Sequence, residues 1–202
     1  MTGTGPLGSI RGELLDAADV DLYRIHVCST SPFTATLVLG AEFDTQMFLF
    51  TLDGMGVVFN DDSATTRQST ITEALIPGTG EYVLAVVGWD CDPVSESGLE
   101  LWADQPFTGE RAPDGPAATQ PVAGWIGDGA FGRYTITLIG ACFIDATPTC
   151  VADLDDGSGT GTPDGAVTID DLLYYLGDFT SGDVAADVDE GSGTAAPDGA
   201  VT

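Results

Sequence analysis

The sequence predicts a mainly β protein. An antiparallel β-sandwich over residues 1–143 is joined by a linker at 144–151 to a small C-terminal EF-hand-like calcium-loop and helix module at 152–202. Three observations carry this expectation. Short alternating segments punctuated by Gly, Pro, Asn and Asp recur along the first 143 residues. Asp53-Gly54 stands between two apolar runs, which is hairpin chemistry. Near the C-terminus two acidic loops recur at an offset of 34 residues, each set to run into a helix.

The elements follow in chain order. Leu22 to Val27 alternates, with Tyr23, Ile25 and Val27 on one face and Leu22, Arg24 and His26 on the other. Phe33 to Leu39 reads as a second strand. Met47 to Leu52 and Val57 to Phe59 flank the Asp53-Gly54 turn. Ile71 to Leu75 and Tyr82 to Val87 follow, separated by Pro77-Gly78-Thr79-Gly80. Residues 104–130, rich in Pro, Gly and Ala, read as a long surface excursion. Tyr134 to Ile139 alternates again and closes the domain. About seven short strands at this spacing predict a sandwich. The one convincing helix lies after Thr168.

Bulk composition narrows the function. The 202 residues accommodate one domain of ordinary size and a small module. They carry 32 acidic residues, five Arg and no Lys, for a net charge of -27. That balance argues against nucleic acid and anionic membranes, because phosphate binding needs Lys or Arg. It favours bound cations, or the solvated acidic surface of a protein from a salty habitat. Residues 151–202 hold 12 of the acids and no base. No apolar run reaches about 18 residues, so no membrane span is expected. Met-Thr-Gly-Thr-Gly-Pro-Leu-Gly lacks the basic and apolar regions of a signal peptide. Cys28, Cys91, Cys142 and Cys150 form no CxxC pair, and with a single His a Cys/His zinc site is not expected. The even count fits two disulfides in an oxidising compartment, with three pairings open. Four buried free thiols are the alternative.

The acidic loops carry the chemistry. Asp153 to Thr168 reads D-L-D-D-G-S-G-T-G-T-P-D-G-A-V-T, and Asp187 to Thr202 reads D-V-D-E-G-S-G-T-A-A-P-D-G-A-V-T. Twelve of the 16 positions are identical. In an EF-hand-type loop, oxygens at positions 1, 3, 5, 7, 9 and 12 wrap the ion, Gly at 6 turns the chain and an apolar residue at 8 anchors it. Reading back from the helix, Asp164 takes position 5, Gly165 position 6, the Ala166 carbonyl position 7, Val167 position 8, Thr168 position 9 and Asp171 position 12. Asp153 and Asp155 supply positions 1 and 3 once the intervening Gly-Ser-Gly-Thr-Gly-Thr-Pro is looped out. A strict 12-residue count from Asp153 places Ser158 at the glycine position and Thr160 at the apolar one, and that frame is rejected. In the second copy Asp187, Asp189, Asp198 and Ala200 match. That copy stops at Thr202 before its helix, which predicts that the chain belongs to a longer protein. Caps and turns explain part of the pattern, since Thr168 to Asp171 is a capping box and Asp-Gly is turn chemistry. They do not require Asp153, Asp155 and Asp164 to recur together, and carboxylates packed this closely repel unless a cation neutralises them. Ca²⁺ is therefore the expected cofactor. Without it, an acidic and Gly-rich tail is expected to be largely disordered. With it, a helix over Ile169 to Phe179 presents Ile169, Leu172, Leu173 and Leu176 on one apolar face.

Two resemblances add to this reading. The stretches G-E-L-L-D-A-A-D-V-D-L-Y-R-I-H-V, F-D-T-Q-M-F-L-F-T-L-D-G-M-G-V-V-F-N-D-D-S, P-G-T-G-E-Y-V-L-A-V and G-R-Y-T-I-T-L resemble, in that order and over about residues 8–143, the bacterial pre-peptidase C-terminal domain family. That resemblance implies a jelly-roll-like sandwich appended to secreted proteins, often hydrolases, as an accessory and not a catalytic domain. The tail resembles dockerin modules, in the variety found at the C-termini of planctomycete surface proteins. It implies a cohesin-like or other cell-surface protein partner, met through loop positions 10 and 11 and the helix. Those positions are Ile169 and Asp170, unlike the usual hydroxyl pair. Tyr174, Tyr175 and Phe179 are candidates for the same surface, with a core role the alternative.

Other groups admit a structural and a functional reading by the same chemistry. Asn60-Asp61-Asp62-Ser63, with Asp44, is read first as loop capping by Asx turns and second as a further cation site at one end of the sandwich. Trp89, Trp102 and Trp125 are read first as buried anchors and second as a sugar-stacking platform. Catalysis is not expected: His26 is the lone His, on a strand face beside Arg24, and no G-x-S-x-G, P-loop or HExxH is present. The chain is expected to be a secreted or cell-surface monomer with a Ca²⁺-dependent interaction module. The alternatives are a carbohydrate-binding sandwich, or an accessory domain of an extracellular hydrolase whose catalytic domain lies outside this chain.

Overall fold

A computed structural model describes residues 2–3, 5–64, 66–145, 154–162 and 167–182. In chain order its elements are β1 (Thr2–Gly3), β2 (Ser9–Leu14), β3 (Asp21–Val27), β4 (Thr34–Thr36), β5 (Thr45–Phe50), β6 (Gly56–Asn60), β7 (Thr70–Thr72), β8 (Gly80–Gly88), β9 (Asp92–Val94), β10 (Gly124–Ile126), β11 (Gly132–Ile139), β12 (Ala141–Cys142), β13 (Ile144–Asp145) and α1 (Ile169–Ser181). The chain divides into two units, Met1–Asp145 and Ala146–Thr202.

The first unit is built from two antiparallel sheets, ordered β2-β11-β4-β7 and β12-β3-β8-β5-β6. Alternation places the inner faces. On β11, Tyr134, Ile136 and Leu138 are buried between the exposed or half-buried residues of the other face. On β3, Ile25 and Val27 are buried while Leu22 is exposed. These residues join Ile10 and Leu14 of β2 and Leu84 and Val86 of β8 in one core between the sheets. Polar side chains are satisfied within it: the Tyr134 hydroxyl donates to Asp21 and bonds the Tyr23 hydroxyl at 2.7 Å. Gly12 makes room for this pair, since a Cβ there would run into the hydroxyl oxygens of both tyrosines.

All six residues of β5 are buried. Met47 and Leu49 face the inter-sheet core, whereas Phe48 and Phe50 face a second cluster with Phe59, Leu101, Trp102 and Ala117. Phe48 lies 4.6 Å from Phe59, 5.3 Å from Trp102 and 5.5 Å from Trp125, ring centre to ring centre. Residues 104–130 are thus not a surface excursion alone. They return over the outer face of the second sheet, place Ala117 in its cluster and pair β10 with β9. Trp102 donates its indole N–H to the Arg111 carbonyl, and the Arg111 guanidinium stands 5.3 Å above the Phe59 ring.

Three further expectations are corrected. The strand expected over Phe33 to Leu39 spans only Thr34–Thr36, because the Leu37 carbonyl accepts from Gly40 and Ala41 and turns the chain, with Leu39 at φ 62°. The strand expected over Ile71 to Leu75 ends at Thr72, whose side chain caps a 3₁₀ turn at Glu73–Leu75. One disulfide, not two, is formed among the described residues. Cys28 and Cys142 are bonded, but Cys91 is free and buried, its thiol pushed up to about 11 by burial and by nearby Asp92. Cys150 lies outside the described residues. The Cys28–Cys142 bond closes a separation of 114 residues and clamps β12 onto β3, a closure that limits the unfolded chain by about 5 kcal/mol in the chain-entropy account.

Trp102 is 3 % exposed and Trp89 is 42 % exposed. Trp102→Ala is therefore expected to cost about 3–5 kcal/mol, and Trp89→Ala about 1 kcal/mol or less. Urea denaturation of the two variants measures the difference, and equal losses would contradict a folded outer layer.

Candidate metal centres

Two groups of carboxylates stand out, one in each unit. In the second unit the sequence places six acids around one loop, of which Asp155, Asp156, Asp170 and Asp171 are described. Asp153, Asp164 and Ala166 of the first copy, and Asp187, Asp189, Asp198 and Ala200 of the second, lie outside the described residues. Asp155 is buried. Its carboxylate accepts four backbone N–H groups, from Gly157 at 3.0 Å, Gly159 at 2.8 Å, Thr160 at 2.9 Å and Gly161 at 2.9 Å. Gly157, Gly159 and Gly161 all have positive φ, 87°, 71° and 70°, which turns successive N–H groups inward in an anion-holding nest. The segment expected to be looped out therefore wraps Asp155.

Asp171 closes the loop from the helix side. One oxygen accepts from the Leu154 N–H at 2.6 Å and the Asp155 N–H at 2.9 Å, the other from the Thr168 N–H at 2.5 Å and the Thr168 hydroxyl at 3.2 Å. The expected capping box is present, with the Thr168 side chain also accepting from Asp170. The backbone N–H groups of Asp155 and Thr168 hold the Asp171 carboxyl down at about 2. Burial raises the Asp155 carboxyl, but its four N–H bonds win and leave it below its ordinary value. Positions 3 and 12 of the expected loop are thus joined, and both are charged hard-oxygen groups of the kind Ca²⁺ takes.

Helix α1 follows, ending at Gly182 in the left-handed conformation. Ile169, Leu172, Leu173 and Leu176 are all exposed. Of the residues expected to meet a partner, Ile169 and Asp170 are exposed, while Tyr174 and Tyr175 are half-buried. Tyr174 lies against the loop, since a Cβ on Gly161 would stand 2.5 Å from its hydroxyl. The Tyr175 and Phe179 ring centres are 6.1 Å apart.

The other group lies at one end of the sandwich. The register Met47↔Asn60 in the β5–β6 hairpin brings Asp44, just before β5, to the same end as Asp61 and Asp62, just after β6. One carboxylate oxygen from each of the three lies within 4.8 Å of the others. The loop-capping expectation holds for the neighbours: Asn60 accepts from the Thr70 N–H at 2.7 Å and donates to the Asp62 carbonyl at 3.2 Å, and the Ser63 hydroxyl bonds Thr70 at 2.9 Å. It does not hold for Asp61, which is 2 % exposed and whose Oδ1 has no hydrogen-bond partner. Asp44 Oδ1 is likewise buried without a partner. Burial, then Asp62, Asp44 and Asp92, push the Asp61 carboxyl up to about 7 against the pull of Arg111. Asp92, which the sequence did not single out, is pushed up to about 6 by burial and by Glu100, Asp90 and Asp104, and bonds the buried Gln46 at 3.4 Å. Trp89, Phe107 and Arg67 complete the wall of an open cleft of ≈ 260 Å³.

The three tryptophans do not form a platform. Trp102 is in the core, Trp125 packs against the same cluster, and Trp89 alone is exposed, edge-on to Phe107 at 6.4 Å. The sequence missed Phe107 because it sits in a Pro- and Gly-rich segment without periodicity. Among the described residues no helix is long and apolar enough to cross a membrane. Comparison with known protein families, curated proteins and solved structures finds no match for this chain.

The raised carboxyls give stability a sign. Asp61 has an ordinary value of 3.8 and a folded value of about 7, so between these the folded chain holds more protons than the unfolded one. The resulting stability is present at low pH and is lost as pH rises through that window. In chelator, wild-type denaturation midpoints are expected to fall between about pH 5 and about pH 8, and Asp61→Asn to flatten that fall. An equal slope in the variant would contradict the assignment.

Proposed function

We propose that this chain is a non-catalytic part of a secreted or cell-surface protein, with a Ca²⁺-dependent interaction and anchoring tail and an accessory β-sandwich. The observation that carries the reading is the closure of the acidic loop. Asp155 and Asp171, 16 residues apart, are drawn together at the start of α1 by the Asp155 N–H to Asp171 bond. In a loop that wraps an ion, the third and last ligand positions must be brought close together.

Asp153, Asp155, Asp164, the Ala166 carbonyl and Asp171 are the groups that would hold Ca²⁺ in the first loop, and Asp187, Asp189, Asp198 and Ala200 their counterparts in the second. The ion supplies positive charge and hard-oxygen coordination. The chain's own part is to hold the acids together. Each oxygen of Asp155 and Asp171 already takes two hydrogen bonds. Metal binding through either carboxylate therefore releases backbone donors and rearranges the Gly-Ser-Gly-Thr-Gly segment. That coupling makes the loop a switch for the helix behind it.

The exposed face of Ile169, Leu172, Leu173 and Leu176 supports an interaction role, since a paired repeat of the same pattern would bury it. A cohesin-like or other cell-surface protein is the class of partner, met through Ile169, Asp170 and the flanking Tyr174 and Tyr175. For the sandwich, the strand order supports a jelly roll. The sets β2-β11-β4-β7 and β3-β8-β5-β6 pair first with last and second with next-to-last strand, the interleaving of two Greek keys. The disulfide fits an oxidising compartment.

Calorimetric titration of Ca²⁺ into the metal-stripped chain, with far-ultraviolet circular dichroism and a Mg²⁺ control, tests the tail. Saturable heat and a gain of helix, both lost in Asp164→Ala, are expected. Absence of helix gain, or a gain that survives Asp164→Ala, would overturn the proposal.

A further inference from the structure

We propose that Asp44, Asp61 and Asp62 form a second cation site, on the sandwich and independent of the tail, that takes a hard divalent ion of the size of Ca²⁺. Three carboxylates converging at a loop end are common without an ion, so the cluster alone decides nothing. The deciding observation is Asp61. Its side chain is 2 % exposed and Oδ1 has no partner, although a buried carboxylate without a donor is among the costliest groups a fold contains. Asp44 Oδ1 repeats the feature in the same cluster.

The nearby arginines do not answer this need. Arg67 approaches Asp44 Oδ2 at 3.5 Å from a side chain that is 78 % exposed, too long and too wet to count for much. Arg111 is committed elsewhere, to Asp114 at 2.6 Å and to the carbonyls of Gln105 and Ala103 at 3.1 and 2.6 Å. Its Nε is itself without a partner. Asn60 and Ser63 are spent on Thr70 and the Asp62 carbonyl, so the loop is capped without the aspartates.

The number of carboxylates favours Ca²⁺: it takes about six to eight oxygen ligands, whereas Mg²⁺ keeps several waters and binds through about one or two carboxylates. One oxygen from each of the three aspartates lies within 4.8 Å of the others, close enough to share an ion. All three are hard oxygen donors, which excludes ions that need nitrogen or sulfur. The cluster opens to a cleft, giving water and further oxygens access to complete the shell. The wall of that cleft is tethered to the acids: the Trp89 N–H donates to the Asp44 carbonyl at 3.0 Å, and the Asp62 N–H to the Phe107 carbonyl at 3.1 Å.

Trp89 supplies a reporter. Tb³⁺ is a Ca²⁺-sized ion whose emission is sensitised by a neighbouring indole, and all three tryptophans of the chain lie in the sandwich. Tb³⁺ is titrated into the metal-stripped full chain with tryptophan-selective excitation, then competed with Ca²⁺ and with Mg²⁺. Saturable emission that Ca²⁺ displaces at lower concentration than Mg²⁺ is expected, and it should persist in Asp164→Ala. Asp61→Asn, which keeps the side-chain shape, and the more accessible Asp62→Asn are each expected to weaken binding at least tenfold. Trp89→Phe should lower the emission while calorimetric Ca²⁺ binding to the sandwich remains. Emission unaffected by both asparagine variants in folded protein, or lost on Asp164→Ala alone, would overturn the proposal without touching the tail reading. Emission retained in Asp164→Ala with no helix gain on Ca²⁺ would sink the tail reading and leave this one standing.

Discussion

Five arginines cannot neutralise 32 carboxylates, and much of the rest of the structure can be read as an answer to that shortage. Among the described residues, Arg24, Arg67, Arg111 and Arg133 stand in ion pairs, with Glu81, Asp44, Asp114 and Glu13 in turn. The remaining acids must be solvated, held by backbone dipoles, protonated or matched by a bound cation. Water serves the surface acids. Backbone dipoles serve Asp155 and Asp171, each surrounded by N–H groups and kept ionised. Asp61 Oδ1 is buried from solvent and receives no protein donor, and its carboxyl rises to about 7. One composition thus yields two kinds of buried aspartate, told apart by whether the backbone points N–H groups at them.

The sandwich explains why Asp61 is held where it is. β5 is buried on both faces, so the hairpin it makes with β6 is fixed between two hydrophobic layers. The outer layer comes from the segment after β9, through Leu101, Trp102 and Ala117. The same segment then brings Phe107 against Trp89 and lays its backbone beside Asp62. Core packing and the acidic cleft are therefore made by one piece of chain. A substitution that loosens the outer layer is expected to disturb the cleft as well.

The sequence disclosed these features unevenly. Strands with one wet face were legible: Tyr23, Ile25 and Val27 alternate, and so do Tyr134, Ile136 and Leu138. Asp53-Gly54 marked its hairpin, with Gly54 at φ 84°. The second core does not show in the alternation, although another signal for it is present. Met47-Phe48-Leu49-Phe50 is an unbroken apolar run, which in a strand means burial on both sides, and Trp102 and Trp125 stood ready to cover it. The shortened β4 turned on backbone bonds to Leu37 that no pattern announces. For the sites, spacing was enough to single out Asp155 and Asp171 and to group Asp44 with Asp61 and Asp62. It could not say which of Asn60, Asp61, Asp62 and Ser63 cap the loop, because that depends on where Thr70 lies. Gly157, Gly159 and Gly161 were read as slack, and their φ values make them the donors around Asp155.

The most direct test of the claim that cations complete this acidic chain is thermal unfolding at matched ionic strength. Wild-type protein is melted in NaCl with chelator and in CaCl₂, with tryptophan fluorescence reporting the sandwich. Screening acts equally in both, whereas a specific ion present at about 100 times its Kd adds about 2.7 kcal/mol to the folded state. A melting temperature several degrees higher in Ca²⁺ is the predicted result. Identical melting temperatures would mean that solvation and screening alone manage the charge, and would contradict the account.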